Sequence, residues 1–194
     1  MKNLIQLLLS LALVPPLLMA CMPEAQAQAL RVGYYGETIT HYGLKVAYEL
    51  PLHSYIKEKN QARKTFLFAP GLAVYRHPHN HIGLVVSPEL TYRRTSRRGR
   101  IFELGLAPSY FHYFLEGTTY TPDGPDDFKQ VRWAGGNAFM PTAFVGIGKD
   151  LSVRKNIPLA WYTRLNVMQQ RPYNTSTLMR FSLEAGVTIP LQKQ

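Results

Sequence analysis

The chain has 194 residues, enough for one domain and little more. Hydrophobic residues make up 46% and charged residues only 18%, a composition that excludes a disordered chain. The formal net charge of +10 favours anionic partners, and the single cysteine, Cys21, excludes an internal disulfide framework and a cysteine-based zinc site.

The first segment has the pattern of an export signal. An apolar run from Leu4 to Leu18 is too short and too interrupted by proline to span a bilayer comfortably. Small residues predict cleavage by a signal peptidase near Ala27 or Ala29. The alternative is a lipobox ending at Cys21, which would then carry lipid and become the mature N-terminus. Both alternatives export the protein, so we expect a signal peptide over 1–29 and a mature domain over 30–194.

The rest of the chain alternates with a period of two, which is the period of a β-strand. The pattern is clearest between Ile82 and Tyr92, where apolar side chains occupy every second position. It predicts strands, in chain order, over 30–35, 42–50, 64–75, 82–93, 100–120, 128–148, 158–169 and 176–191. Prolines inside these strands remove hydrogen-bond donors, so we expect bulges or local breaks at their positions. They are Pro70, Pro88, Pro108 and Pro141.

Each predicted strand has an apolar face and an opposite face, and the composition of the opposite face distinguishes a water-soluble sheet from a membrane-spanning one. This opposite face is rich in Gly, Ala, Ser and Thr and carries one or two charges, whereas a water-facing surface would carry many more. Small residues with few charges fit the narrow interior of a small barrel, and strands of about ten residues cross a membrane at a tilt. We therefore predict an all-β fold, an antiparallel transmembrane β-barrel of eight strands. The alternative is a soluble sandwich or lipocalin-like barrel.

An export signal, alternating strands and an amphipathic last strand, exemplified by Phe181 to Ile189, resemble the small outer-membrane β-barrel proteins of Gram-negative bacteria. The resemblance covers residues 30–194 and is one of architecture. It implies an outer-membrane location, contact with outer-membrane lipid and lipopolysaccharide, and insertion by the barrel assembly machinery. The chain departs from many such barrels by ending in Gln194 rather than in an aromatic residue. We expect a monomer with no cofactor and no nucleic-acid partner.

An even number of strands places both termini on one side of the membrane, which we take to be the periplasm. The outer connections are then 36–41, 76–81, 121–127 and 170–175, and the inner ones are 51–63, 94–99 and 149–157. All three inner connections are basic. The reversed orientation would instead set their arginines against lipopolysaccharide phosphates. The basic turn of the second inner connection comprises Arg93, Arg94, Arg97, Arg98 and Arg100.

Charged side chains on the small-residue face are predicted to lie in the barrel interior. Isolated charges would be costly there, so we expect them to pair across the lumen. Because side chains just fill an eight-stranded barrel, we interpret them as a plug of ion pairs; the alternative is a narrow, porin-like pore. The predicted lumen residues are Lys45, Glu49, Glu89, Glu103, Arg164, Arg180 and Glu184.

Two loops contain residues that can bind metals. His77, His79 and His81 alternate, so an extended chain would point them the same way, as a zinc, copper or nickel site requires; the alternative is a polar loop with incidental histidines. The three carboxylates of 123–127 could form a calcium site. The Pro-Asp-Gly sequence instead favours a turn that joins 110–120 and 128–133 as a hairpin.

The sequence contains no obvious catalytic pair. Some outer-membrane barrels of this size modify lipid A with His, Ser and an acidic residue, and this chain has Ser109, His112 and Glu116 in one segment. An odd spacing places Ser109 and His112 on opposite faces of a strand. We therefore predict a non-enzymatic, structural or interaction role, with a lipid A-modifying barrel enzyme as an alternative.

Overall fold

The computed structural model describes residues 28–38, 40–57, 61–124, 127–173 and 176–191. The predicted signal peptide lies almost entirely outside these residues. Within them the chain forms ten strands and one short helix. The strands are β1 (Ala29–Glu37), β2 (His41–Lys57), β3 (Ala62–His77), β4 (His81–Thr95), β5 (Arg100–Leu115), β6 (Thr119–Pro122), β7 (Phe128–Val131), β8 (Gly135–Asp150), β9 (Ala160–Tyr173) and β10 (Ser176–Pro190).

Eight of the described strands form a closed antiparallel barrel in the order β1-β10-β9-β8-β5-β4-β3-β2. Closure follows because β1 pairs with β2 on one side and with β10 on the other. The sheet therefore has no free edge, and its strands pair their backbone groups with one another, as a membrane-spanning β-structure must. The predicted fold class is confirmed, and the first predicted strand, 30–35, lies within β1.

The predicted boundaries are wrong in three places. The first is the end of β9, which continues to Tyr173, so most of the predicted connection 170–175 is strand. β2 continues to Lys57 and β3 begins at Ala62, so most of the predicted connection 51–63 is strand. The reason is a register shift between Pro51 and His53, which ends the alternation without ending the pairing. Between Leu115 and Gly135 the chain leaves the barrel, and β6 pairs with β7 as a separate hairpin.

The barrel exposes apolar side chains and buries charged ones. On its outside, Leu106 is 64% exposed and Ile147 is 58% exposed, whereas inside the barrel Arg164 is 1% exposed and Glu184 is fully buried. This is the reverse of a water-soluble protein and the pattern of a barrel surrounded by lipid. Exposed aromatic side chains lie towards both ends of the barrel, as in the interfacial girdles of membrane barrels. They include Phe66, Phe102 and Trp161 at one end and Tyr34, Tyr42 and Phe139 at the other.

The four prolines predicted to disturb the strands lie at one level of the wall. Pro70 is opposite Pro88, and Pro108 is opposite Pro141. Pairing between β4 and β5 stops after Val86 and resumes at Leu90 in the same register. The prolines therefore cause local breaks, as expected, and no register shift occurs at their positions.

Glycines make room for aromatic and charged side chains in the narrow interior. A Cβ at Gly33 would lie 2.6 Å from the Tyr162 hydroxyl, and one at Gly105 would overlap the Phe144 ring. Small residues on the inward face are therefore a steric requirement of the large side chains opposite them.

The connections divide between two ends of the barrel. The terminal end holds Gln28 and Leu191, whose backbones share a hydrogen bond of 2.8 Å, and the connections 96–99 and 151–159. The loop end holds the turn at 78–80 and the long connection 116–134. The connection 151–159 contains α1 (Ser152–Lys155). In the described chain no helix is long and apolar enough to cross a membrane.

Candidate functional site

A cluster of ion pairs fills the barrel interior towards the terminal end, and we call it the lumen network. It joins side chains from β1, β2, β4, β5, β9 and β10 across the whole width of the barrel. Its members are Arg31, Lys45, Glu49, Glu89, Arg93, Glu103, Arg164 and Glu184.

Glu103 is the most heavily paired carboxylate of the lumen network. Its Oε2 accepts hydrogen bonds from Nε and Nη2 of Arg164 at 2.7 and 2.5 Å. Its Oε1 accepts one from Nε of Arg93 at 2.5 Å and a longer one from Arg31 at 3.4 Å. Arg93 also donates to both oxygens of Glu49, at 2.6 and 2.7 Å. Guanidinium groups suit this arrangement because each can donate to two carboxylates at once.

The other half of the lumen network centres on Lys45. Its ammonium group donates to Glu89 at 2.5 Å and to Glu184 at 2.6 Å. Arg164 links the two halves because its Nη1 donates to Glu89 at 2.8 Å. Among the described residues the network contains four carboxylates and four basic side chains, so its formal charge is zero.

The structure brings together six of the seven predicted lumen residues, and it places the seventh elsewhere. Arg180 lies at the loop end, where its Nε is 2.7 Å from Glu37 and its Nη1 donates to the Tyr75 hydroxyl at 3.1 Å. Arg31, which lies in β1, was not among the predicted lumen residues, and Arg93 was assigned to the basic turn. Arg93 lies in β4, four residues after Glu89 and on the same face, so extending the alternation would have found it.

A mostly apolar layer lies above the lumen network, towards the loop end. Tyr75 stacks on Phe111 with their ring centroids 6.1 Å apart, and the Tyr35 hydroxyl donates to the Met168 sulfur at 3.3 Å. Met140 packs in the same buried cluster. The interior is therefore closed by two successive layers, one charged and one apolar.

The three histidines predicted as a metal site are not brought together as a set. His77 and His81 face the lumen as partners across the β3–β4 turn, with ring centroids 5.1 Å apart. His79 lies in that turn, exposed, with a positive φ of 62°. Instead His41 stacks on His77, at a centroid distance of 3.8 Å. In the described part of the chain, no three potential ligands already converge on a common point.

The residues considered for catalysis lie apart. Ser109 faces the lumen, 3.2 Å from the Thr142 hydroxyl, and His112 faces outward, hydrogen-bonded to Asn137. Glu116 lies beyond the strand, where hydrogen bonds from the Arg76 guanidinium, the shorter of them 2.6 Å, lower the pKa of its carboxyl. Ser109 and His112 thus lie on opposite faces, as their spacing predicts.

The acidic loop contains the turn of a hairpin. Asp123 donates its backbone N–H to the Asp127 carbonyl at 2.8 Å, and the Asp127 carboxylate accepts from the Phe128 amide at 2.8 Å. Asp126 is outside the described residues. These contacts close the hairpin of β6 and β7, which is shorter than the predicted 110–133 pairing.

Basic side chains crowd the terminal end, and we call this group the cationic rim. The turn at its centre is closed by Ser96, whose hydroxyl accepts the Arg100 N–H at 3.0 Å, and by Gly99 at φ 77°. Among the described residues of this rim, Asp150 is acidic, and its carboxylate accepts two hydrogen bonds from Ser152. The rim comprises Lys57, Arg63, Lys64, Arg94, Arg97, Arg98, Arg100, Lys149, Arg154 and Lys155.

The closed sheet, the apolar outside and the ion-paired interior define the class of protein: a small β-barrel of the outer-membrane type. No known protein family and no curated protein matches the chain. Among solved structures it is similar to the N-terminal β-barrel domain of Pseudomonas aeruginosa OprF, with 12% identity and a TM-score of 0.47 over 84% of this chain and 98% of that one. It is also similar to the outer membrane enzyme PagL, with 12% identity and a TM-score of 0.47 over 85% of this chain and 100% of that one.

Proposed function

We propose that this protein is a non-conducting outer-membrane barrel with a structural and interaction role, exported by a signal peptide over residues 1–29. The observation that carries the proposal is the lumen network, in which every carboxylate contacts at least one basic side chain and the formal charges balance. A charge-selective pore is lined by charged side chains that face water, whereas the charged groups of the lumen network are paired with one another across the interior.

Conductance of the refolded protein in a planar bilayer tests the plug. We expect no stable channels from the wild-type chain, because Arg164 and Glu103 are 1% and 2% exposed and bridge the lumen. Glu103→Ala removes that bridge, and Glu116→Ala, at the loop end, is the matched control. Stable wild-type channels that disappear or change selectivity in Glu103→Ala would establish a narrow pore instead.

The cationic rim supports the second half of the proposal, an interaction with phosphate groups at the membrane surface. The lumen network uses its own basic residues internally, so the excess positive charge of the chain lies largely outside it. Arginine forks bind phosphate in two-point contacts, and each basic residue near an anionic membrane surface contributes about 1 kcal/mol. The chemistry of the rim therefore favours phosphate-bearing lipid as the partner.

Unfolding in vesicles of two compositions tests this role. Arg97→Gln with Arg98→Gln removes two exposed charges of the rim, and Lys129→Gln with Arg132→Gln removes two at the loop end. We expect anionic phosphatidylglycerol to stabilise the wild-type barrel relative to neutral phosphatidylcholine, and the rim variant to lose about 2 kcal/mol of that gain. Equal losses in both double variants would mean that the rim has no special role.

The proposal that the barrel has no catalytic role is supported by the positions of Ser109 and His112, which lie on opposite faces of β5. A lipid A-modifying barrel needs a nucleophile and a base within hydrogen-bond reach. Incubation of the purified barrel with lipid A, followed by mass spectrometry of the lipid, tests this part. We expect unchanged acyl chains, and loss or gain of an acyl chain would establish an enzyme.

A further inference from the structure

Four potential metal ligands lie in one row across four neighbouring strands at the loop end. Glu37 on β1 is opposite His41 on β2, and His77 on β3 is opposite His81 on β4. The β2–β3 register, with Tyr42 opposite Arg76, places His41 level with His77. All four side chains are on the lumen face, so strand pairing alone brings together residues separated by up to 44 positions in the chain.

Ligand atoms in this row are buried and have no hydrogen-bond partner. They are Nδ1 of His41, Nδ1 of His77 and Oε2 of Glu37. His41 is 9% exposed and Glu37 is 1% exposed, and the Glu37 Oε2 to His41 Nδ1 distance is 3.8 Å. Buried polar atoms usually have a hydrogen-bond partner, and at 3.8 Å the Glu37 oxygen and the His41 nitrogen are too far apart to hydrogen-bond to each other. These atoms therefore leave room in the row for a bound ion.

We propose that this row binds a divalent transition-metal ion such as Zn²⁺ at the mouth of the barrel, with Glu37, His41 and His77 as ligands and His81 adjacent to them. Imidazole nitrogen and carboxylate oxygen are the ligands of zinc, at metal distances of about 2.0–2.2 Å. The Glu37 oxygen and the His41 nitrogen are 3.8 Å apart, which is less than the sum of two such distances, so one ion can contact both atoms.

The neighbours of the row constrain how the ion is held. The Arg180 guanidinium lies 2.7 Å from Oε1 of Glu37, which orients the carboxylate and leaves Oε2 on the side of His41. His41 and His77 are stacked, so binding requires one of the two rings to rotate until both nitrogens face the ion. His81 approaches the Tyr75 hydroxyl through Nε2, at 3.4 Å. Its ring is 5.1 Å from that of His77, a separation suited to neighbouring ligands of one metal ion.

Calorimetric titration of the untagged, folded full chain in detergent with ZnCl₂ tests the site. We expect one ion per chain and an affinity lowered about tenfold or more by His41→Gln or Glu37→Gln. His79→Gln is the matched control, because it removes an exposed imidazole two residues from His77, and it should bind like the wild type. No saturable binding, or equal weakening by His79→Gln and His41→Gln, would overturn the proposal.

A spectroscopic measurement covers the case in which the variants do not fold. The electron paramagnetic resonance spectrum of the Cu²⁺-loaded wild-type chain should show splitting from at least two imidazole nitrogens. The His112→Gln variant, changed on the outside of the barrel, should give the same spectrum. A spectrum of oxygen ligands alone, or one that His112→Gln abolishes, would overturn the site.

Discussion

The lumen network makes a quantitative prediction for Glu103→Gln, which keeps the size of the side chain and removes its charge. The change leaves the buried Arg164 and the partly buried Arg93 with one carboxylate partner fewer each. Breaking a buried ion pair by changing one partner costs about 3–5 kcal/mol. Arg164 keeps Glu89 at 2.8 Å and Arg93 keeps Glu49 at 2.6 Å, so we expect the lower limit, about 3 kcal/mol.

Urea unfolding in lipid vesicles, followed by tryptophan fluorescence, measures this cost. With a slope of about 2 kcal/mol per molar urea, a loss of 3 kcal/mol lowers the midpoint by about 1.5 M. Trp161, on the outer face of β9, reports on loss of the lipid environment. Glu116→Gln breaks the exposed pair with Arg76 and should cost at most about 1 kcal/mol. If Glu103→Gln shifts the midpoint no further than Glu116→Gln does, the network does not stabilise the barrel.

Two further predictions concern packing and orientation. Gly105→Ala should destabilise the barrel by about 1–3 kcal/mol in the same urea assay, because the added Cβ would overlap the Phe144 ring. Gly71→Ala should cost less, because the nearest atom to its added Cβ is 3.2 Å away. Equal losses of stability in the two variants would contradict the steric reasoning. In a Cys21→Ala background, a cysteine at Ser96 should react with an impermeant maleimide only after the outer membrane is permeabilised, whereas one at Asn80 should react on intact cells. Labelling of Ser96→Cys on intact cells would invert the topology and make lipopolysaccharide phosphates the partner of the cationic rim.

The sequence alone was sufficient to locate the eight strands of the barrel and, where the alternation is unbroken, to assign each side chain to the inner or the outer face. A period of two assigns a face to every residue of a strand once one residue is assigned. Glu103 and Arg164 were therefore predicted to lie inside the barrel, and Ser109 and His112 on opposite faces. Where the alternation is interrupted, the prediction was wrong. At the bulge after Pro51 the period of two is lost, so the last residues of β2 were predicted to be a connection.

Only the tertiary structure decided how high in the barrel each side chain lies. The position of a side chain along the barrel axis depends on the register between strands and on the tilt that closes the sheet. Neither can be deduced from the alternation within one strand. Arg180 has the face expected of a lumen residue, but the register places it beside Glu37 at the loop end rather than in the lumen network. For the same reason His77 meets His41, which is distant in the chain, while its near neighbour His79 occupies the turn and points elsewhere.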